Sequence, residues 1–127
     1  MKLIQKGIIK KDDKFLILLR SSKAEFLPEY WDFPGGKLEK GEDPHEGIER
    51  EILEETGLIV KAGKIIGIYE FTLKDIPHRF TLYDTTFQSK DITLSDEHTD
   101  YKWVTKEEIL KISNREPYFN SYFEKNL

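Results

Sequence analysis

The densest concentration of potential chemistry in the chain is acidic. Glu51, Glu54 and Glu55 stand at i, i+3 and i+4. In a helix, at about 100° per residue, they share one side. A like-charged i,i+4 pair costs a helix a few tenths of a kcal/mol. Arg50 reaches Glu54 at i+4 but cannot neutralise three carboxylates. Such a face is either solvated acidic surface or a seat for hard divalent cations. Magnesium prefers carboxylate oxygens on a rigid element and keeps several of its waters. Two or more such ions can hold a diphosphate, activate a water and stabilise the leaving oxygen.

The elements that must position these groups are legible around them. Asp43 is a natural N-cap, Pro44 suits the first helical position and Glu46 completes a D-x-x-E capping arrangement. Gly57 is a helix-ending glycine. The pattern predicts a helix over Pro44 to Thr56, with Ile48 and Ile52 as a stripe that faces a core. Gly35-Gly36, just upstream, allows backbone to approach a metal or phosphate closely, and Glu42 can pair with Arg50 to brace loop against helix. Leu3 to Lys10 reads as a strand, Lys11 to Lys14 as a polar turn, and Phe15 to Arg20 as a strand buried on both faces, the pair forming a hairpin. Ser21 to Tyr30 is a loop. Lys64 to Leu73 and Arg79 to Gln88 read as antiparallel strands joined by a turn over Lys74 to His78. Lys90 to Asp100 is a loop, Tyr101 to Val104 a short strand, Thr105 the cap of a short helix, and Pro117 to Leu127 a last helix. Strands flanked by helices in this order suggest a mixed sheet sandwiched between helices.

Bulk composition narrows the class. A chain of 127 residues fits one domain, 1–127, and 38% apolar residues with eight Phe, six Tyr and two Trp suffice for a core. The net charge of −4 argues against a nucleic-acid polymer as partner, but not against a nucleotide. Without cysteine there is no disulfide, thiolate catalysis or zinc–sulfur site. No apolar run reaches the ~20 residues of a membrane span, and the first residues lack a secretory apolar region. The expectation is a cytoplasmic protein, monomer or homodimer.

The loop and helix together match a known signature. The Nudix box, G-x5-E-x7-R-E-U-x-E-E-x-G-U with U a bulky aliphatic, is met by Gly36, Glu42, Arg50, Glu51, Ile52, Glu54, Glu55, Gly57 and Leu58 with every spacing intact. The chain therefore resembles the Nudix hydrolases, in particular their MutT-like members. That resemblance implies an α/β/α sandwich with a mixed central sheet and a loop–helix–loop catalytic motif. It implies that Glu51, Glu54 and Glu55, helped by the main-chain carbonyl of Gly36 or Gly35, ligate Mg2+, with Mn2+ as substitute. Glu51 is alternatively the general base. Arg50 orients the carboxylates, while Glu42 and Gly57 are structural supports. Glu97, in an E-H-x-x-x-x-W run ending at Trp103, resembles the distant carboxylate that many members add; Asp96 and Asp100 are local competitors.

The implied reaction is water attack on a diphosphate linkage of a nucleoside diphosphate joined to another group. The run Trp31-Asp32-Phe33-Pro34-Gly35-Gly36-Lys37-Leu38-Glu39 resembles that of MutT-like nucleoside triphosphate pyrophosphatases. Arg20, Lys37 and Lys40 are phosphate-contact candidates. Phe26, Tyr30, Tyr69, Phe71, Tyr83 and Tyr118 are candidates for stacking on a base, and Asn114 and Asn120 for reading it. A (d)NTP or oxidised NTP is the expected substrate. ADP-ribose, nucleotide sugars and dinucleoside polyphosphates are alternatives, and a non-catalytic nucleotide-binding module is the alternative of another class. Isomerase chemistry on an isoprenoid diphosphate, which typically uses a Cys, is disfavoured by its absence.

Overall fold

Strand β3 (Lys14–Arg20) sits where the two sides of the core meet. Its residues alternate between them: Phe15 and Ile17 join one apolar cluster, Leu16 and Leu18 the other. This is the period-two consequence of a strand covered on both faces. The computed structural model describes residues 1–88 and 91–125. Lys90, at the head of the expected 90–100 loop, and the last two residues of the expected tail helix lie outside the described residues.

The elements run β1 (Lys2–Ile8), β2 (Lys10–Lys11), β3, β4 (Trp31–Asp32), β5 (Gly35–Lys37), α1 (Pro44–Thr56), β6 (Val60–Leu73), β7 (Ile76–Phe87), β8 (His98–Val104), α2 (Lys106–Leu110) and α3 (Tyr118–Lys125). One four-stranded sheet has the order β5-β1-β7-β6 and is mixed, because β1 runs parallel to β7 while the other pairs are antiparallel. A second sheet is built on β3, flanked by β4 and β8, with β2 alongside. Helix α1 lays Ile48 and Ile52 against Leu16, Leu18 and Tyr83. Helix α3 lays Tyr118, Phe119, Tyr122 and Phe123 against Phe15, Phe33, Phe80 and Leu82 on the other side. The result is the expected α/β/α sandwich. Removing any of these fully buried aliphatic side chains to Ala costs about 2–5 kcal/mol.

Several local expectations change, among them the start of β6 at Val60 rather than Lys64. The hairpin between the first two long strands is confined to Lys10–Lys11 against Lys14–Phe15, and β1 itself pairs with β5 and β7. The β6–β7 turn is two residues, not five: Lys74 and Asp75 both take positive φ, 49° and 62°, and Pro77 and His78 are already in register with Thr72 and Phe71. Such a turn matches the right-handed twist of the strands it joins. Strand β8 begins at His98 rather than Tyr101, because pairing with β3 extends to Arg20 through an irregularity after Leu19.

Candidate active site

Helix α1 begins and ends where local chemistry demands. The Asp43 side chain accepts from the Glu46 N–H at 3.0 Å, and Gly57 closes the helix with φ 77° while its N–H donates to the Leu53 carbonyl. From this helix Arg50 gathers three carboxylates. Nε and Nη2 donate to the two oxygens of Glu42 at 2.8 and 3.2 Å, Nη1 to both oxygens of Glu54 at 3.1 Å, and Nη2 also to Glu51 Oε1 at 3.2 Å. The planar guanidinium makes this fork possible. The bond to Arg50 holds the Glu42 carboxyl below its ordinary range.

Other atoms closely approach both glycines before the helix. At Gly35, with φ 145°, a Cβ would overlap the Gln5 carbonyl oxygen of β1. At Gly36 a Cβ would stand 2.5 Å from Glu51 Oε2. The Gly35 N–H donates to Glu55 Oε1 at 2.8 Å, tying the loop to the helix. Gly47, which the sequence did not single out, plays a like part, since a Cβ there would press on the Glu42 carboxylate.

Glu97 arrives from the other side of the chain. The segment before it hangs on the end of α1: Thr93 N–H donates to the Thr56 carbonyl and Ser95 N–H to the Glu55 carbonyl. The Glu97 carbonyl in turn accepts from Ser21 N–H at 2.9 Å. Glu51, Glu55, Glu97, Gly36, Lys37 and Arg20 thereby line one cleft of about 590 Å3. Glu54 is exposed, paired with Arg50, and is not among the lining residues. Lys40 is exposed and does not line the cleft.

The electrostatics favour a cation. Glu55 is buried, and burial drives its carboxyl well up from the usual range against the pull of Lys6 and the Gly35 N–H, with Asp32 and Glu51 pushing the same way. Glu51 is raised by burial and by Glu54 and Glu97, against Arg50. Buried Glu55, half-enclosed Glu51 and exposed Glu97 line one cleft, and their oxygens are the donors that suit a hard divalent ion. The residues present therefore fit such an ion.

Beyond the carboxylates, the cleft holds a buried polar group that sequence reasoning missed. Lys6 Nζ and Arg20 Nη1 both donate to Asp32 Oδ2 at 3.0 Å, and Asp32 and Lys6 are almost completely buried. Burial alone would raise the Asp32 carboxyl, but Lys6, His98 and Arg20 hold it far below the carboxylate range. Arg20 also donates to the Phe26 carbonyl, so its first task is to brace the 21–30 loop. Glu116 lines the same cleft at 3% exposure with Oε2 unpartnered, its carboxyl pushed up to about 7 by burial and Asp32 against Lys6 and Arg20. The signal available in sequence was a charge inside an apolar strand run at Lys6 and Asp32, which demands a partner.

The base-reading candidates are not brought to this place. Asn114 donates to the Glu29 carbonyl at 2.6 Å, securing the loop, and Asn120 is exposed and accepts from Arg115. Asn114 lies in the connection between α2 and α3 and Asn120 within α3; Glu116, in that connection, is the residue presented to the cleft. Of the six stacking candidates Phe26 alone lines the cleft, set edge-on to His78 at 4.6 Å. Tyr83 and Tyr118 are buried in the two core clusters.

Comparison with known proteins agrees with this architecture. The NUDIX domain family model matches residues 6–123. An uncharacterized Nudix hydrolase of Bacillus subtilis, YvcI, is 29% identical over 96 residues, 71% of this chain and 58% of that protein. The nucleoside triphosphatase NudI of an Enterobacter strain is 27% identical over 131 residues, covering 94% and 93% of the two chains. The crystal structure of a MutT protein from Methanosarcina mazei superposes with a TM-score of 0.91 at 34% identity, covering 98% of this chain and 91% of that one. The chain spans about three fifths of the length of the Bacillus relative and of a Streptomyces MutT-like protein.

Proposed function

Because the chain belongs to the Nudix hydrolase family, we propose that its cleft hydrolyses the diphosphate linkage of a nucleoside triphosphate, oxidised forms included, with Mg2+ as the working ion. One observation carries the reading. The same cleft of about 590 Å3 holds Glu51, Glu55 and Glu97 together with Phe26, His78 and Glu116, and that volume is the size of a small-ligand site. The first set suits a metal-bound polyphosphate. The second offers an aromatic face and a hydrogen-bonding carboxyl to a base. The nucleoside triphosphatase name of the Enterobacter relative supports the same substrate class; an archaeal relative 41% identical over 69 residues is named an ADP-ribose pyrophosphatase, which makes ADP-ribose the second substrate to try.

When bound, the divalent ion offsets phosphate charge and acidifies water. Glu54, Glu55 and Glu97 with the Gly36 carbonyl would hold it. Arg50 keeps Glu51 and Glu54 aimed through its fork. Glu51 Oε2, on the side of its carboxylate away from Arg50, takes the proton of the attacking water. Water adds to one phosphorus, the bridging P–O bond breaks, and the leaving phosphate departs with its electron pair. Lys37 faces the phosphates. Glu116 reads the base edge.

The test is a screen of nucleoside triphosphates, oxidised nucleotides, ADP-ribose, nucleotide sugars and dinucleoside polyphosphates with Mg2+, products identified by mass, on the natural chain and on Glu54→Gln. Hydrolysis abolished by the substitution, with the melting temperature retained, supports the reading. Near-normal turnover by Glu54→Gln overturns the site, and no turnover of any substrate by the natural chain leaves a nucleotide-binding module in its place.

A further inference from the structure

His98 is buried to 6% exposure, yet neither ring nitrogen has a hydrogen-bond partner. Nε2 lies 3.7 Å from Asp32 Oδ1 and Nδ1 lies 3.9 Å from Glu55 Oε2. Both separations exceed hydrogen-bond length. A buried polar group in this state is costly unless something else satisfies it.

The two sides of the ring differ. Asp32 is fully buried and fixed by its pairs with Lys6 and Arg20. A carboxylate facing Nε2 favours the tautomer with its proton there, which leaves the Nδ1 lone pair toward Glu55. One donor atom each from Glu55, Glu97 and His98 lies within 4.8 Å of the others, with Glu55 on the Nδ1 side. Three donors at about 2.1 Å from one ion stand about 3.0–3.6 Å from one another. Closing the cluster thus takes an inward movement of about an ångström, most of it by the exposed Glu97 side chain and a few tenths by Glu55 toward His98. The order carboxylate, imidazole, metal is the arrangement in which a second carboxylate fixes a ligand histidine.

We propose that His98, through Nδ1, is a metal ligand, completing with Glu55 and Glu97 a mixed nitrogen–oxygen site that prefers a transition-metal dication such as Mn2+ or Co2+ over Mg2+. The inference rests on the reading that this cleft binds metal, and goes beyond its all-carboxylate ligand set. Imidazole adds little to Mg2+, a hard ion that takes oxygen, and adds more along the series from Mn2+ to Co2+. Glu54 and the Gly36 carbonyl bring only oxygen, so Mg2+ held with them and a transition-metal dication held with His98 share Glu55 and Glu97.

The experiment loads the full chain with Mn2+ and reads nitrogen hyperfine coupling by pulsed electron paramagnetic resonance, with Mn2+ and Mg2+ affinities measured for the natural chain and for His98→Gln. The expected result is a nitrogen coupling that His98→Gln abolishes, with Mn2+ affinity about tenfold weaker and Mg2+ affinity changed far less. Bound Mn2+ with no nitrogen coupling in the natural chain overturns the proposal, as does full Mn2+ affinity in a folded His98→Gln variant. If that variant does not fold, the natural-chain spectrum alone decides. Nucleotide hydrolysis with Mg2+ is read separately: turnover without nitrogen coupling sinks this site and keeps the function, and nitrogen coupling without turnover does the reverse.

Discussion

Glu116→Gln should make the protein more stable in alkali and worse at binding its substrate. The Glu116 carboxyl is 3% exposed, and burial with Asp32 raises it to about 7 from an ordinary 4.5, Lys6 and Arg20 only partly opposing. The sign follows from linkage. Between those two values the folded chain keeps a proton that the unfolded chain has lost, so stability falls as pH rises through that window. At 1.36 kcal/mol per tenfold, the cost above pH 7 is about 3 kcal/mol. Gln has nearly the same shape and no charge to lose. For a domain of this size 1 kcal/mol moves the melting temperature by about 4 °C. The variant should therefore melt about 10 °C higher than the natural chain at pH 8, but only about 1–2 °C higher near pH 4.5. Scanning calorimetry across pH measures this. A difference independent of pH, or a loss of stability at pH 8, would refute the claim that the fold stores an uncompensated carboxyl at this point. The same variant should raise KM for the nucleotide about tenfold, the worth of one lost hydrogen bond to a buried carboxyl, and that pairing of gained stability with lost binding marks a group retained for function.

Two further substitutions separate positioning from folding. Gly36→Ala places a methyl 2.5 Å from Glu51 Oε2; the flexible carboxylate yields, so turnover should fall about 100-fold with a nearly unchanged melt, and unimpaired turnover would remove Glu51 from the reaction. Asp32→Ala strips the shared partner from Lys6 and Arg20 and should cost about 3–5 kcal/mol near neutral pH. Because the Asp32 carboxyl is depressed below its unfolded value of 3.8, its stabilisation is present above that pH and lost as pH falls. The deficit of the variant, read from melting curves, should accordingly shrink in acid, and a deficit that grows there would contradict the buried pairing.

The helix carrying the acidic face was readable to the residue, Pro44 to Thr56, because caps act over one turn: Asp43 meets the Glu46 N–H and Gly57 takes the left-handed conformation without help from afar. The same holds for the Thr105–Glu108 capping box of α2. The two-residue turn at Lys74 and Asp75 was not readable. Neither is a glycine or asparagine, and the positive φ of both is imposed by the register of two long strands. The parallel pairing of β1 with β7, about 75 residues apart in sequence, likewise leaves no local mark.

For the acidic triad itself, sequence alone determined the side of the helix on which Glu51, Glu54 and Glu55 stand and the loop glycines beside them, because both follow from spacing along a single element. Only the tertiary structure decided that they differ. Glu54 remains in solvent on Arg50, Glu51 is half-enclosed against Gly36, and Glu55 is buried beside Asp32, Lys6 and His98. It also decided that the residue facing the cleft from beyond β8 is Glu116 rather than Asn114 or Asn120. Burial and charge pairing are sums over neighbours from five separate elements, so they exist only once the sheets and helices have closed around the cleft.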